Sequence, residues 1–259
     1  MSDWTTNDIE VAIVGLGIPS DGLVFVHSNL GMLGRSSDTS PPSSIIDLFE
    51  NCLGRLGGFI LPAFTYSLSS GKKFNPSDRE ALRPMGQLSL EAFDRDYRRI
   101  RDPIFSCFGF GPRFNQLAES DFLASFGPES FFGKLVDSDP YVLNIGTGAG
   151  STLLHELERR IGVGYRHDKY FSHLAQLHNQ NPKFPKEWLS YVRNIEMESS
   201  EADFRMLSKL VRNEEFYSQW RVGKTLLTCY KMSNMFEYLK TQIQKEPNFL
   251  NRKGFELDF

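Results

Sequence analysis

Two residues that could share a proton, His155 and Glu158, stand three positions apart near the middle of the chain. They follow a glycine-rich segment over 146–150. A helix that begins after this segment would place both side chains on one face, because residues i and i+3 are neighbours on a helix surface. Histidine is the side chain most often used to move protons near neutral pH, and an adjacent carboxylate can fix its orientation. The spacing predicts a base and its orienting partner, although it is also typical of a helix that simply packs on a core.

The elements that must position this pair are predicted from the hydrophobic pattern. Three short apolar runs rich in β-branched residues predict buried strands, over 23–26, 59–61 and 141–145. A helix predicted over 41–56 separates the first two runs, which makes a strand–helix–strand unit and indicates parallel pairing. The sequence therefore predicts an α/β fold with a central, mostly parallel or mixed sheet that is flanked by helices.

Further segments are assigned from composition and periodicity. Residues 196–215 are charged and helix-like, and residues 232–244 predict an amphipathic helix. The polar segment 67–85 lacks periodicity, and loops of this length in a compact domain are commonly functional or disordered. We predict one domain over residues 1–259, with a smaller substrate-side lobe around 160–222.

The loops that follow the predicted strands are the expected place for a ligand. They begin at His27, Pro62 and Gly146. In open α/β sheets, ligands bind outside the carboxyl ends of the strands. We therefore expect these loops to meet at one rim of the sheet, with the helix of His155 at the border of a site.

The composition excludes several classes of protein. A net charge of −3 gives no electrostatic footprint for nucleic acid. No apolar run reaches the roughly 18–20 residues that a bilayer span needs, and residues 1–10 lack the apolar core of a signal peptide. The three cysteines, Cys52, Cys107 and Cys229, form no CxxC pair, which argues against a disulfide framework and a cysteine zinc site. We therefore expect a soluble cytoplasmic protein without nucleic acid or a membrane span.

Metal chemistry is not predicted. A zinc-protease helix would need a second histidine four positions after His155, where the chain has Arg159. Three other histidines lie nearby in the sequence, His167, His173 and His178. Their spacings of six and five residues place no two imidazoles on one helix face, so they do not indicate a zinc site.

The sequence also favours neither a nucleotide-binding loop nor a covalent nucleophile. The glycine segment 146–150 lacks the third glycine of a dinucleotide fingerprint, a position that Ser151 holds, and it lacks the lysine of a Walker loop. Ser28, Ser106 and Cys107 could act as nucleophiles, but no G-x-S-x-G elbow surrounds them. Direct transfer by a positioned base is therefore favoured over a covalent intermediate.

Short motifs spread over nearly the whole chain keep an order that is known from one enzyme family. They are VHSNL at 26–30 followed by Gly34, GGFILPAFT at 57–65, FNP at 74–76, PMG at 84–86, RIRDPIFS at 99–106, STLLHELE at 151–158, VG at 222–223 and EPNFL at 246–250. Together they resemble the motifs of the aminoglycoside 3-N-acetyltransferase family. The resemblance implies that family's fold and the transfer of an acetyl group from acetyl-coenzyme A to an amine of a sugar, without a metal.

Matching the motifs position by position implies roles for individual residues. His155 would be the general base, Glu158 would orient it, and Thr65 would line the reaction centre. The residues implied to hold acetyl-coenzyme A are His27, Ser28, Asn29, Leu30, Gly34, Ser106 and Cys107. Two positions depart from the family pattern, because Asp102 replaces a histidine and Ser151 replaces an asparagine.

The acceptor is predicted from the residues that follow the helix. We expect substrate contacts from Asp102, Arg166 and Lys169. Aminoglycosides are polycations and favour an acidic pocket, whereas Arg166, Lys169 and Arg193 make this region basic. These cations favour a phosphorylated or nucleotide-linked amino sugar, although they are also typical of a solvated surface. The pattern is similar to family members associated with surface-polysaccharide synthesis, which implies an acceptor made for such a glycan. The alternatives are an aminoglycoside acceptor, which would confer antibiotic resistance, and a catalytically silent sugar- or nucleotide-binding relative. A homodimer is compatible with the sequence.

Overall fold

A seven-stranded mixed sheet forms the centre of the structure, a computed structural model that describes residues 3–68, 70–72, 74–172, 186–197, 200–204 and 206–251. The strands are β1 (Leu23–Ser28), β2 (Gly58–Pro62), β3 (Arg99–Ile100), β4 (Cys107–Phe110), β5 (Tyr141–Ile145), β6 (Arg166–Phe171), β7 (Trp188–Arg193), β8 (Ser218–Val222) and β9 (Thr225–Lys231). The helices are α1 (Thr6–Gly15), α2 (Pro41–Cys52), α3 (Gln87–Asp94), α4 (Pro112–Leu117), α5 (Phe131–Asp137), α6 (Leu154–Ile161), α7 (Leu207–Leu210) and α8 (Met232–Lys245). Two 3₁₀ turns cover Leu30–Leu33 and Glu80–Met85.

The strand order of the central sheet is β3-β4-β2-β1-β5-β9-β8. β1 lies in the middle and pairs in parallel with β2 and with β5. The outer pairs, β2–β4, β3–β4, β5–β9 and β8–β9, are antiparallel. The predicted α/β fold with a mixed sheet is confirmed, and the three apolar runs are its three parallel strands. Buried parallel strands are expected to be continuous apolar runs, because helices cover both of their faces.

Helix predictions were right at α2 and α8 and wrong over 196–215. In the described part of that segment, the helix is limited to α7. The charged residues before α7 give no apolar stripe for a helix to bury, and an amphipathic helix depends on such a stripe for its stability. The backbone N–H of Met197 instead donates to the carbonyl of Asn194 at 3.2 Å, which closes a turn.

The two faces of the sheet have separate apolar cores, because side chains alternate along a strand. Val24 and Val26 of β1 pack on the face that α1 and α2 cover. Phe25, between them, packs on the opposite face together with Phe132 of α5, their ring centroids 6.0 Å apart. Leu154 and Leu157 of α6 join this second core, which therefore supports the helix that carries His155.

We expect Ser130→Ala to lower the free energy of unfolding by about 1 to 2 kcal/mol, the usual cost of losing a helix N-cap. The hydroxyl of Ser130 accepts from the backbone N–H of Gly133 at 2.8 Å at the start of α5, and it is buried. Ser40→Ala is the matched control, because Ser40 precedes α2 without a side-chain cap bond. Urea denaturation of both variants tests this, and equal losses at the two serines would contradict it.

A separate antiparallel ribbon, β6 and β7, lies against α6. Its register pairs Arg166 with Arg193 and Phe171 with Trp188. The buried indole of Trp188 anchors the ribbon, because its Nε1 donates to Ser125 Oγ at 2.8 Å. The lobe predicted around 160–222 includes this ribbon, and the division of the chain into a domain and a lobe stays a prediction. His173 and His178 lie outside the described residues.

Candidate active site

One rim of the central sheet brings together the loops that follow the three predicted strands. β2, β1 and β5 all end there, and β4 begins there, because Cys107 pairs with Pro62. Ser28 at the end of β1 lies opposite Ile145 at the end of β5. The expected convergence of the loops is thus present in the structure. Along the rim lie, in order, the start of β4, the ends of β2 and β1, and the end of β5 with the glycine segment that follows it.

The glycine segment turns the chain from β5 toward α6. Gly146 and Gly148 have φ angles of 70° and 76°, which residues with a side chain rarely adopt. The buried phenol of Tyr230 donates to the carbonyl of Ala149 at 3.0 Å and fixes the turn against β9. These contacts hold the backbone immediately before α6, so the start of that helix has a defined position at the rim.

His155 and Glu158 form a direct contact on α6. The Nδ1 of His155 lies 2.6 Å from Oε2 of Glu158. A carboxylate only accepts hydrogen bonds, so in the neutral ring Nδ1 carries the proton and Nε2 keeps its lone pair. The predicted pairing on one helix face is therefore present in the structure. The arrangement leaves His155 with one nitrogen that can accept a proton from a ligand.

The carboxylate of Glu158 is fully buried, with 0% of its side chain exposed. Its Oε1 accepts from the hydroxyl of Tyr165 at 2.7 Å, and its Oε2 lies 2.8 Å from Nε of Arg166. Burial alone would raise the pKa of Glu158, but His155, Arg166 and Tyr165 together outweigh burial and lower it. Glu158 is therefore an ionised carboxylate that accepts from Tyr165 and lies in ion-pair contact with Arg166.

The imidazole of His155 is largely buried but reaches the surface, with 15% of its side chain exposed. The rings of Phe126 and Phe204 flank it, with centroids at 6.0 and 5.6 Å. Burial lowers the pKa of His155, the charge of Arg166 lowers it further, and Glu158 opposes both without reversing them. The ring is thus neutral near pH 7, as a general base must be before it reacts.

A second histidine, His27, links the end of β1 to the residues before α6. Its Nε2 lies 3.0 Å from the hydroxyl of Ser151, and its ring meets the edge of Phe25 with centroids 5.0 Å apart. Burial lowers the pKa of His27 to about 4. The ring is neutral at pH 7 and acts here as a hydrogen-bonding link across the rim.

We expect the free energy of unfolding to fall as the pH drops from about 6.5 toward 4, with part of this fall due to His27. A histidine with a lowered pKa is neutral when folded and binds a proton when unfolded, so its contribution is complete above pH 6.5 and lost below it. His27→Phe keeps a ring and should flatten this slope. His167→Phe, the same substitution on the exposed strand β6, is the control. Denaturation across this pH range tests the expectation, and equal slopes in the wild type and His27→Phe would contradict it.

The structure separates the residues implied to hold acetyl-coenzyme A. His27, Ser28, Asn29 and Leu30 lie at the rim, where the carbonyl of Asn29 is 3.0 Å from the position that a side chain on Gly146 would occupy. The backbone of Gly34 is farther out, and its carbonyl accepts from the indole of Trp4 at 3.1 Å. The first group is thus at the rim, whereas Gly34 packs against the N-terminal segment, and the part of these residues in holding acetyl-coenzyme A stays a prediction.

Ser106 and Cys107 are at the rim, but their side chains point into the protein. The hydroxyl of Ser106 is buried, donates to the carbonyl of Ala63 and accepts from Arg99 at 2.8 Å. Burial raises the pKa of the Cys107 thiol well above its usual range. Neither side chain is poised as a nucleophile, which agrees with the expectation of direct transfer.

Thr65 lies in the loop after β2, on the same rim. Its hydroxyl donates to the carbonyl of Pro103 at 3.3 Å and accepts from the hydroxyl of Ser67 at 2.8 Å. The side chain is half-buried, so part of it faces outward. Its predicted place beside the reaction centre stays a prediction.

The residues predicted to contact the acceptor are in three different settings. Asp102 is buried, with 2% exposure, and its Oδ1 accepts from the backbone N–H groups of Ile104 and Phe105 at 2.7 and 2.8 Å. Burial raises its pKa to about 6. Arg166 contacts Glu158 and is 7% exposed on its side chain. Lys169 alone is exposed, with its Nζ 5.2 Å from the ring centroid of Phe171. The geometry gives Asp102 and Arg166 internal partners, and the predicted contact of all three residues with the acceptor stays a prediction.

Sequence reasoning missed three residues that shape the site, Tyr165, Phe126 and Phe204. Tyr165 follows the left-handed Gly162, with a φ of 83°, where the chain reverses and returns to Glu158. A glycine after a periodic helix was a signal for the reversal. No local pattern could indicate that loops far along the chain would bring Phe126 and Phe204 to the imidazole.

The described part of the chain contains no group of three or more histidine, cysteine or acidic side chains arranged to hold a metal ion. No helix in it has the length and apolar character that crossing a membrane requires.

Several solved structures have a similar fold. The solved structure of aminoglycoside acetyltransferase AAC(3)-IVa, without ligand, is similar with a TM-score of 0.74 and 17% identity, over 95% of this chain and 91% of that one. The binary complex of AAC-IIIb with CoASH has a TM-score of 0.71 and 17% identity, over 93% and 96%. YokD from Bacillus subtilis has a TM-score of 0.68 and 18% identity, over 93% of each chain. At such identities the likeness shows the fold alone.

No curated protein sequence matches this chain. A sequence model of a whole family, however, does match it. The sequence model of the family described as aminoglycoside 3-N-acetyltransferase matches residues 25–244, a range that begins within β1 and ends within α8. The match contains the rim, the glycine segment and the pair His155 and Glu158. This chain therefore belongs to the aminoglycoside 3-N-acetyltransferase family and is an acyltransferase.

Proposed function

We propose that this protein transfers the acetyl group of acetyl-coenzyme A to an amine of an amino sugar, with His155 as the general base. The observation that carries the proposal is the contact of 2.6 Å between His155 Nδ1 and Glu158, which leaves Nε2 free at a rim of this family's fold. Intact base and orienting groups argue against a catalytically silent relative.

The proposed reaction is a direct displacement. Nε2 of His155 takes a proton from the acceptor amine as its nitrogen forms a bond to the thioester carbon. The carbon–sulfur bond then breaks, and the imidazolium returns the proton to the sulfur. Glu158 stays ionised throughout and stabilises the imidazolium that forms in between. The buried Cys107 takes no part, because its raised pKa keeps it protonated.

Acetyl-coenzyme A as the donor is supported by the related AAC-IIIb structure, which contains CoASH. We propose that the segment from His27 to Leu30 and the backbone near Ser106 hold its thioester end. The side chains of Ser106 and Cys107 are buried, so only their backbone can serve this purpose.

The acceptor has two candidates, each with its own support. A nucleotide-linked amino sugar, made for a surface polysaccharide, is supported by Lys169 and Arg193, which are exposed on the ribbon. Arg166 no longer supports it, since its charge is compensated by Glu158. An aminoglycoside is supported by similar structures of AAC(3)-IVa that contain apramycin or a gentamicin. Transfer to the second class would be a resistance activity.

The test is an assay of thiol release from acetyl-coenzyme A with panels of both acceptor classes. UDP- and dTDP-linked amino sugars form one panel, and gentamicin and apramycin form the other. UDP-glucose, which has no amine, is the control for hydrolysis. Turnover that requires an amine supports the proposal, and the panel with the higher kcat/KM identifies the acceptor class. Thiol release at the same rate with UDP-glucose, or none with any amine, would contradict it.

A further inference from the structure

We infer that Arg166 is a positioning residue that acts through Glu158 to keep His155 in its neutral, proton-accepting form, instead of binding the acceptor. The inference rests on the proposed role of His155 as the general base. It gives Arg166 a part in the reaction that neither its sequence position nor the resemblance indicated.

The first step is the sharing of one carboxylate oxygen. His155 Nδ1 and Arg166 Nε contact the same atom, Oε2 of Glu158, at 2.6 and 2.8 Å. The other oxygen, Oε1, accepts from Tyr165 at 2.7 Å. The carboxylate is fully buried and Arg166 is 7% exposed, so both charges are largely removed from water. The single negative charge of Glu158 therefore faces two groups that can be positive, Arg166 and a protonated His155.

The second step is the charge balance of this buried group. With His155 neutral, Glu158 and Arg166 sum to zero. With His155 protonated, the same group carries one net positive charge, which burial disfavours. If Arg166 were absent, Glu158 would instead favour the imidazolium, because an opposite charge within about 4–6 Å stabilises the charged form. An imidazolium has no lone pair and cannot take a proton from an amine.

The third step concerns the other charged and titratable groups around the pair. Arg159 of α6 is bound to Asp168 of β6 at 2.9 Å, so these two charges offset each other. Tyr191 of β7 faces the same region, and burial raises its pKa to about 12, which keeps it neutral. Arg193 lies opposite Arg166 in the ribbon but is exposed. The loops that contact His155 contribute the uncharged rings of Phe126 and Phe204. Among the residues that the structure describes, Arg166 is thus the cation in contact with the carboxylate that holds His155.

The test measures the pKa of His155 directly, by NMR of the whole chain labelled in its histidine side chains, with the His155 signal assigned by its loss in His155→Gln. Arg166→Gln removes the charge and keeps an amide that can donate to Glu158. We expect the pKa of His155 to rise by about 1 to 2 units in this variant and to stay near the wild-type value in Arg166→Lys. Arg83→Gln is the matched control, because Arg83 is 68% exposed and pairs with Glu80 instead of Glu158.

Kinetics give an independent readout. The acidic limb of the pH profile of kcat/KM should move to higher pH in Arg166→Gln by the same amount as the pKa, with little change in KM at high pH. A folded Arg166→Gln protein with an unshifted His155 pKa would overturn the inference, and so would a raised KM for a phosphorylated acceptor with an unshifted limb.

Two measurements keep the inference and the proposed function apart. The NMR titration needs no substrate, so it decides the role of Arg166 even if the wild type acetylates no amine. Should Arg166→Gln fail to fold, the same titration on Arg166→Met decides. A raised pKa of His155 in that variant is the expected result, and an unshifted pKa overturns the inference.

Discussion

His155→Gln is expected to lower kcat by about 10²- to 10⁴-fold, the usual contribution of a general base. Glutamine can still donate to Glu158, so the fold around the carboxylate should persist while the proton acceptor is lost. KM should change little, because a base acts in the transition state and not in ground-state binding. Thiol release from acetyl-coenzyme A at saturating acceptor measures the effect.

The pH dependence of the same variant sharpens this expectation. Wild-type activity should fall as the pH drops through the lowered pKa of His155, because the ring then becomes protonated. The residual activity of His155→Gln should lack that limb. His167→Gln is the control, since the same change on the exposed strand β6 leaves the site intact. Near-normal kcat in His155→Gln would remove this residue from the mechanism.

Glu158→Gln is expected to lower the free energy of unfolding by about 3–5 kcal/mol, the usual cost of removing one partner of a buried ion pair. The substitution keeps the size of the side chain, but it leaves Arg166, 7% exposed, without its opposite charge. The fall in kcat should be smaller than for His155→Gln, because the base itself remains. Urea denaturation and circular dichroism measure the loss of stability.

A double variant separates charge from packing in that loss. Glu158→Gln combined with Arg166→Met removes both charges and should recover a large part of the stability, since the two residues are in contact and their effects do not add. Glu80→Gln, which breaks an exposed ion pair with Arg83, is the control and should have little effect. If the double variant is as unstable as the sum of the single changes, an uncompensated charge is not the cause.

Much of the fold was predictable because its signals are local. Continuous apolar runs identified the three parallel strands, and the single helix between the first two indicated their parallel pairing. The spacing of His155 and Glu158 fixed their common helix face, and the observed contact of 2.6 Å follows from it. Each of these predictions depends on residues that are close in the sequence.

The parts that were not predicted depend on long-range packing. From composition alone, Arg166 was interpreted as an unpaired cation. The chain reversal at Gly162 instead brings it into contact with Glu158, which lies eight positions earlier in the sequence. Asp102 and Ser106 are polar residues of a loop, yet both are buried and bonded to neighbouring backbone groups. Which polar side chains turn inward is decided by how loops pack on one another, and no period or spacing records it.

The reversal at Gly162 has a consequence for how such enzymes diversify. It delivers the first residue of the ribbon, Arg166, to the carboxylate that holds the base. Oε2 of Glu158 therefore contacts both the base, His155, and the first residue of the ribbon that would meet different acceptors. Grafting the ribbon of one relative onto another would alter basicity along with acceptor choice, unless Tyr165 and Arg166 are transferred together with Glu158. In this protein, we therefore expect an exchange of the ribbon to shift the working pH as well.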